Sequence, residues 1–351
     1  MKEGETMRAA VLRSGELVVD EIPEPPPPRL NQVVVEVLAN GICGTDLHLT
    51  TDLDGWYEAT ERAGDVIKLF DRSRDTVLGH EFAGRVVEAG PAVTRVAVGD
   101  LVYCMPMATD AEGDLKCLGF SDSYPGGLGQ GATVDEFALI PLPAGLDPAV
   151  ATFMDSMIVG EYAVVDRARL PAGAPAVLIG TGPVGLGAIT ALTRAGAGVI
   201  VAAEPSAPRA EAARTLGADV VVDSRTTSWV EAWRETGISG PAYVFETSGA
   251  RGMLPALIDE VPPGSTIVSV ASGTQDEPLR PSIAVKKDLS LLFSMGGSLD
   301  HYSRMAALLG SGEPDLSGYV TRIGLDGVGE AFEALQQPDR HIKVAVLPQQ
   351  A

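Results

Sequence analysis

The sequence predicts an α/β protein in two parts, an antiparallel, barrel-like part followed by a parallel sheet flanked by helices. Short β-rich runs separated by turn residues fill the first 150 residues. After about Met157, strand-like runs alternate with helical patterns, which is typical of βαβ units. A length of 351 residues suits two domains, at roughly 100–200 residues for each.

The first part carries mainly strand signals. Val33, Val35 and Val37 occupy alternate positions, as expected for a strand that buries one face. Other β-rich runs and the turn residues between them favour an antiparallel arrangement. The runs are Gly84–Ala89, Asp100–Met105 and Asp135–Ile140, and the turns are 25–28, 90–91, 99–100 and 126–127.

The second part predicts a parallel sheet with helices on its faces. Its strands are predicted at Ala176–Ile179, Val199–Ala203, Val220–Val222, Tyr243–Glu246, Thr266–Val270 and Leu289–Phe293. Its helices are predicted at Val184–Ala195, Ala207–Leu216, Thr227–Thr236 and Gly252–Glu260. The segment from about Ser303 combines a helix or two with the strand-like Lys343–Leu347.

Composition and charge argue against several classes of function. The formal net charge of −21 is expected to repel nucleic acid and anionic membranes. Three cysteines are too few for a secreted disulfide scaffold. The uncharged stretch from Leu170 to Thr193 has the length of a transmembrane helix, but its prolines and glycines break a helix. Because the N-terminus also lacks a signal-peptide pattern, we expect a cytoplasmic protein.

A glycine-rich motif follows the first strand of the second part. Gly180, Gly182 and Gly185 form G-x-G-x-x-G, with Pro183 and Val184 inside it and a predicted helix beginning there. In dinucleotide sites the first glycine makes a tight turn, the second lets the backbone approach a pyrophosphate, and the third lets the helix pack on the strand. The free N–H groups at the helix start bind the anion. This context favours a dinucleotide site over a glycine turn without a ligand.

Glu204 ends the second strand of this part, 19 residues after Gly185. A carboxylate there accepts hydrogen bonds from the ribose hydroxyls and repels a 2′-phosphate, which predicts NAD as the cofactor. Arg209 is the counter-argument, because a nearby arginine accommodates the 2′-phosphate of NADP. The alternative for Arg209 is a solvated helix residue.

Two motifs in the first part suggest a metal site. Cys43 lies in GICGTDLH and His80 lies in GHEFAG, each within glycine-rich backbone. A thiolate and an imidazole on separate turns are typical zinc ligands. Taken singly, each residue is more often an ordinary buried side chain.

Together with the glycine motif, these segments resemble the zinc-dependent medium-chain dehydrogenases of the alcohol dehydrogenase superfamily. GICGTDLH, GHEFAGRVVEAG, VAVGDLV, VLIGTGPVGLGAI and HIKVAVL occur in family order and span nearly the whole chain. The resemblance implies an α/β fold with two domains. These are a GroES-like β-barrel catalytic domain, residues 1–157 completed by 303–351, and a Rossmann doubly wound parallel-sheet domain, residues 158–302.

The resemblance also implies the metal ligands. Cys43 and His80 match two ligands of the catalytic zinc, and Glu81 matches the carboxylate that orients the site. In the family, the segment that enters the Rossmann domain supplies the third ligand. The matching segment here is 151–160, in which Asp155 is the residue able to bind a metal. Glu161 is its rival, but it lies beyond the usual position.

The same resemblance assigns roles to three further residues. Thr45 matches the hydroxyl that binds the substrate oxygen, and His48 matches the residue that completes proton transfer to solvent. The alternatives are a helix cap for Thr45 and a surface residue for His48. Lys343, in the closing HIKVAVL, is assigned to cofactor binding.

Two features depart from the family pattern. Many members bind a second zinc through four cysteines, but the matching lobe here contains only Cys104 and Cys117, which predicts one zinc per chain. The other departure is the 30-residue separation of His48 from Gly79. We interpret the insertion, residues 49–78, as a lid over the substrate cleft, an oligomer contact or a loop packed on its own barrel. Among its charged residues it contains Trp56, Tyr57, Ile67, Leu69 and Phe70.

The leading interpretation is an NAD-dependent zinc alcohol dehydrogenase that oxidises a secondary alcohol or polyol, or reduces the matching ketone. One alternative is a zinc-free enone or quinone reductase of the same superfamily, which the proposed ligands argue against. Another is a dinucleotide-binding protein without catalytic activity, which would lack a ligand or relay residue. Members of this family form dimers and tetramers by joining their Rossmann sheets through an edge strand. The resemblance therefore implies a homodimer or homotetramer, with Leu289–Ser294 as the candidate edge strand.

Overall fold

The structure is a computed structural model that describes residues 5–64, 69–337 and 339–350. It divides into two compact units. The first contains 5–64, 69–154, 306–337 and 343–350, and the second contains 155–305 and 339–342. The sequence instead predicts boundaries at 157 and 303 and places 339–342 in the first domain. This segment belongs to the second unit, where Arg209 donates to the carbonyl of His341 at 3.3 Å and Arg225 lies 3.8 Å from Asp339.

The N-terminal segment of the first unit consists mainly of strands. Its central strand pairs with neighbours along both edges and carries the alternating valines, which are buried. The strands are β1 (Thr6–Arg13), β2 (Glu16–Pro23), β3 (Gln32–Gly41), β4 (Thr76–Val77), β5 (Glu81–Ala89), β6 (Leu101–Cys104), β7 (Met107–Thr109), β8 (Leu115–Cys117), β9 (Gly131–Asp135) and β10 (Leu139–Pro141). The helices are α1 (Gly44–Thr51), α2 (Leu53–Arg62) and α3 (Pro148–Ala151).

Strands and helices alternate in the second unit, as predicted. The strands are β11 (Ala176–Ile179), β12 (Ile200–Ala203), β13 (Val220–Val222), β14 (Tyr243–Glu246), β15 (Thr266–Ser269) and β16 (Ser290–Phe293). The helices are α4 (Met154–Tyr162), α5 (Pro183–Arg194), α6 (Ala207–Thr215), α7 (Trp229–Glu235), α8 (Met253–Glu260), α9 (Pro281–Lys287) and α10 (Leu299–Gly310). The chain ends with β17 (Val320–Ile323), α11 (Val328–Leu335) and β18 (Lys343–Val346) in the first unit.

The sheets of the first unit bring distant segments to its candidate site. One sheet has the order β10-β6-β5-β3-β18-β17, with β9 also pairing with β3, and another has the order β2-β1-β4. The last strand, β18, pairs antiparallel with β3, so that Ala345 lies opposite Gly41. The C-terminal strand is thereby fixed beside the strand that leads into the Cys43 motif.

The second unit contains a six-stranded parallel sheet with the order β13-β12-β11-β14-β15-β16. Strand order reverses between β11 and β14, and ligands of such sheets bind outside the carboxyl ends of the strands at this point. The strands are apolar on both faces because helices cover both, and Val177, Val201 and Val244 are fully buried. The predicted Rossmann architecture is confirmed.

The uncharged stretch from Leu170 to Thr193 contains β11, the glycine turn and most of α5. Within the described residues, no helix combines the length and the apolar composition needed to cross a membrane. The prolines and glycines therefore divide this stretch as the sequence predicts.

The insertion packs on its own unit over the described part of its length. Phe70 is buried in a hydrophobic cluster, and Leu53, Trp56 and Leu69 pack against the same cluster. The Tyr57 ring also contacts Phe70 edge-on, with ring centres 6.2 Å apart, and the Arg72 guanidinium lies 4.0 Å from the centre of the Tyr57 ring. Ile67 lies outside the described residues. A loop packed on its barrel is thus observed, whereas a lid and an oligomer contact stay hypotheses.

Candidate active site

Helix α1 begins directly at the first ligand motif. Cys43 precedes its first turn in an extended conformation, and the backbone N–H of Cys43 donates to Oδ2 of Asp46 at 2.9 Å. Asp46 is fully buried, and its Oδ1 lies 3.3 Å from Nδ1 of His80. One carboxylate therefore orients both the turn that carries Cys43 and the ring of His80. Such a partner fixes a ligating histidine, leaving Nε2 of His80 for a metal.

Sequence reasoning missed this role of Asp46. The signal was available, because Asp46 stands three residues after Cys43, at the position from which a side chain caps a helix. Its contact with His80 spans 34 residues of sequence and depends on the pairing of β3 with β5.

The structure brings together three side chains that can bind a metal. Ligand atoms of Cys43, His80 and Glu81 all lie within 4.8 Å of one another, and this is the one such group among the described residues. Sulfur, imidazole nitrogen and carboxylate oxygen are all donors that zinc accepts. His80, directly before β5, and Glu81, its first residue, are buried, whereas Cys43 is partly exposed.

Titration of this group reflects its burial and close charges. Burial, reinforced by the Glu81 carboxylate, raises the pKa of the Cys43 thiol. Burial tends to lower the pKa of His80, but the charges of Asp46 and Cys43 outweigh it and raise that pKa well above its usual value. A metal that binds here has to displace these protons, because zinc binds thiolate and neutral imidazole.

Lys343 lies in this cluster, at the start of β18. Its ammonium pairs with Oε2 of Glu81, and both side chains are almost completely buried. The structure therefore places Lys343 against a predicted site residue of the same unit, and its assignment to cofactor binding stays a prediction.

Thr45 and His48 lie on α1, one helical turn apart. Oγ1 of Thr45 is 3.8 Å from Sγ of Cys43, so its hydroxyl adjoins the metal-ligand cluster. His48 is exposed. A relay from a hydroxyl near the metal to an exposed imidazole is compatible with this placement.

Asp155 belongs to the second unit, at the start of α4. Its Oδ1 accepts a hydrogen bond from the hydroxyl of Tyr302 on α10. Glu161, the rival ligand, lies 3.6 Å from the guanidinium of Arg304. The assignment of the third ligand to Asp155 stays a prediction.

The glycine motif has the local geometry that dinucleotide binding requires. Gly180 has φ +88°, a left-handed conformation that favours glycine. A side chain at Gly185 would place its Cβ 2.4 Å from the carbonyl oxygen of Gly180, so only glycine lets α5 approach β11 this closely. Gly182 precedes the first residue of α5, Pro183, and Val184 follows in the same turn. In such folds the free N–H groups at the start of the helix bind the pyrophosphate.

Glu204 is buried at the end of β12 and holds the loops around it. It accepts hydrogen bonds from the backbone N–H of Thr181 at 2.7 Å and of Ser206 at 2.8 Å. Arg209 differs from the solvated alternative, because burial lowers the pKa of its guanidinium and its Nη1 would lie 3.7 Å from a Cβ at Gly182. Both residues therefore border the glycine motif.

The segment between Cys104 and Cys117 forms a hairpin of β7 and β8. Lys116 pairs with Asp110 at 2.9 Å, and Asp110 accepts from the N–H groups of Glu112 and Asp114. Cys104 is fully buried, and burial raises the pKa of its thiol. An ion pair and turn hydrogen bonds thus stabilise the hairpin, whose loop residues 111–115 are exposed.

Two family models match the chain. The model described as the alcohol dehydrogenase GroES-like domain matches residues 29–144, and the model described as zinc-binding dehydrogenase matches residues 183–311. L-threonine 3-dehydrogenase of Saccharopolyspora erythraea is 33% identical over 350 residues, which cover 93% of this chain and 95% of that relative.

Solved structures show the same architecture. The crystal structure of 2R,3R-butanediol dehydrogenase from Bacillus subtilis superposes with a TM-score of 0.81, at 28% identity, over 97% of this chain and 99% of the other. A structure from Sinorhizobium meliloti 1021, described as a zinc-binding dehydrogenase and bound to NADP, has a TM-score of 0.78 and 25% identity. It covers 98% of this chain and 100% of the other.

Proposed function

The chain belongs to the zinc-dependent medium-chain dehydrogenase superfamily, and we propose that it is an NAD-dependent alcohol dehydrogenase with one catalytic zinc. Its substrate is a secondary alcohol or polyol, or the matching ketone. The relatives point to this class, because L-threonine and 2R,3R-butanediol both carry secondary hydroxyl groups. The observation that carries the proposal is the cluster of Cys43, His80 and Glu81, whose ligand atoms lie within 4.8 Å of one another.

The residues present fit a zinc ion. Cys43 and His80 supply sulfur and nitrogen, and Asp46 orients both. The family resemblance supplies Asp155 as the third ligand. When bound, zinc would act as a Lewis acid that lowers the pKa of the substrate alcohol, and NAD would accept the hydride from the alcohol carbon.

The chain's own residues then handle the proton. The Thr45 hydroxyl adjoins Cys43 and is placed to accept the proton of the substrate hydroxyl while passing on its own. His48, one turn later and exposed, takes that proton to solvent. Glu81 stays paired with Lys343 and keeps a negative charge beside the ligands.

His48→Ala is expected to retain zinc and to lower turnover by roughly 10²-fold, the low end for a positioned acid–base group, because water replaces the imidazole in part. The loss should be largest at low pH in the oxidation direction, where hydroxide is scarce. The measurement is the pH–rate profile with zinc content determined on the same sample. A profile identical to that of the wild type would remove His48 from the relay.

We propose NAD as the cofactor on the strength of Glu204, because a carboxylate at the end of the second Rossmann strand repels a 2′-phosphate. Glu204→Ser should raise kcat/KM for NADP relative to NAD by about tenfold or more, since it removes the repulsion. Glu204→Gln is the matched control for structure, because an amide oxygen can still accept from Thr181 or Ser206 while the charge is lost. Both variants should shift the ratio of kcat/KM values.

A wild-type protein that prefers NADP would contradict this assignment. Arg209 would then be the residue to test as the 2′-phosphate ligand, because its guanidinium borders the glycine motif.

We propose that the protein is a homodimer or homotetramer assembled through β16. This strand lies at the end of the sheet order, and Phe293 and Met295 beside it are 60% and 70% exposed. An unprotected edge with apolar side chains favours pairing with a second copy. Light scattering should give at least a dimer, and Phe293→Glu should shift it toward the monomer; a monomeric wild type would contradict the proposal.

A further inference from the structure

Helix α2 of the insertion contacts the proposed relay residue. The ring centres of Trp56 and His48 are 6.2 Å apart, with their planes tilted by 36°. This distance lies within the 4.5–7 Å range at which aromatic rings attract one another. His48 is exposed, so the indole limits the motion of a side chain that solvent would otherwise leave mobile.

The turn between α1 and α2 sets the position of Trp56. The N–H of Asp52 donates to the carbonyl of His48 at 2.8 Å, and the N–H of Trp56 donates to the carbonyl of Asp52 at 3.2 Å. Asp52 also caps α2 through the N–H of Gly55. Two consecutive backbone hydrogen bonds thus connect His48 with Trp56, and the Asp52 cap stabilises the turn between them.

The core of the first unit anchors Trp56. Its side chain packs against a hydrophobic cluster that includes Phe70 and Leu49, and Leu53 of the same helix packs there too. Leu49 directly follows His48 and is fully buried. The indole is therefore the fixed member of the pair, and the imidazole is the mobile one.

We propose that Trp56 is a positioning residue that holds the imidazole of His48 in the orientation required for proton transfer. This inference rests on the proposed function, since it assumes the relay role of His48. It also gives the start of the insertion a role in catalysis that requires no closing motion. An aromatic contact of this strength corresponds to about a two- to tenfold change in the population of one orientation.

A double-mutant cycle tests whether Trp56 acts through His48. Trp56→Met keeps apolar contact with the core but removes the ring, because methionine fills irregular gaps. We expect it to lower kcat about two- to tenfold with KM nearly unchanged, and we expect Trp56→Phe to recover most of the loss. In the His48→Ala background, Trp56→Met should have no further effect. Leu53→Ala is the matched control, because it disturbs the same cluster.

Imidazole NMR supplies a readout that does not depend on activity. The chain has four histidines, and the Hε1 resonance of His48 is the one lost in His48→Ala. Trp56→Met should shift this resonance because the ring current of the indole is gone, whereas Leu53→Ala should leave it in place. A resonance that Trp56→Met does not move would overturn the proposal.

The outcomes separate the inference from the proposed function. If His48→Ala leaves turnover unchanged, the relay is wrong and the positioning role falls with it. If His48→Ala slows turnover and Trp56→Met slows that variant by the same factor as the wild type, the relay stands and the positioning role is wrong. An equal loss of kcat in Leu53→Ala would also contradict it, because core disturbance would then explain the effect.

Discussion

Replacing His80 with alanine is expected to abolish zinc binding and to lower turnover about 10³-fold or more. The ring supplies one ligand, and its loss also removes the imidazole that faces Oδ1 of the buried Asp46 carboxylate. A bound metal contributes several kcal/mol to stabilising charge in the transition state, and each 1.4 kcal/mol corresponds to a factor of ten. Metal analysis after gel filtration and NADH formation on the same sample measure both effects.

NAD binding should survive in His80→Ala. The glycine motif, Glu204 and Arg209 all lie in the second unit, which has its own core. His301→Gln is the control, because His301 contacts Asp166 within the second unit and should keep zinc. Full zinc content and activity in His80→Ala would remove His80 from the ligand set.

The second large effect concerns Lys343. Lys343→Met should lower the free energy of unfolding of the zinc-free protein by about 3–5 kcal/mol, because it leaves the Glu81 carboxylate buried without its cation. Urea unfolding of protein stripped with a chelator measures the change. The side chain of Lys343 is 1% exposed and that of Glu81 is 0% exposed, so solvent screens this pair very little.

The double variant Lys343→Met/Glu81→Gln should recover most of that stability. Glutamine keeps the shape of Glu81 without its charge, and removing both charges of a buried pair is often close to neutral. If Lys343→Met alone costs less than about 1 kcal/mol, Glu81 does not depend on Lys343 in the folded protein. The Lys343–Glu81 pair would then contribute little to the free energy of unfolding, and any role it has would be in the reaction.

Most of the second unit could be predicted from sequence because its strands are short, continuous apolar runs bounded by turn residues. β11, β13 and β14 have the predicted bounds, and the other three strands differ by one residue at an end. In a parallel sheet covered by helices on both faces, every residue of a strand is buried, so the strand is a continuous apolar run that is easy to recognise in the sequence.

The strands of the first unit were predicted less accurately from the sequence. The hairpin of β1 and β2 was not predicted, and β2 is only partly buried, so its sequence carries a weak pattern. The run Asp135–Ile140 was predicted as one strand, but β9 ends at Asp135 and β10 begins at Leu139, with a helical turn between them. Turns of this kind depend on tertiary contacts, which the alternation of apolar and polar residues in the sequence does not reveal.

The candidate site shows the same division. Cys43 and His80 were found because short motifs surround them, and the structure places them together. The pairings within the site were not predicted: Asp46 contacts His80 across 34 positions, and Lys343 pairs with Glu81 across 262. Such pairings follow from strand order, with β18 beside β3 and β3 beside β5, which a single sequence does not state.

Zinc content measured beside NAD reduction tests the central claim most directly. One preparation is analysed for metal and assayed with a panel of secondary alcohols and polyols, before and after treatment with a chelator and after zinc is restored. The proposed function predicts about one zinc per chain and NADH formation that disappears with the metal and returns with it. A zinc-free preparation of full activity, or a fully metallated one that reduces no NAD with any alcohol of the panel, would contradict it.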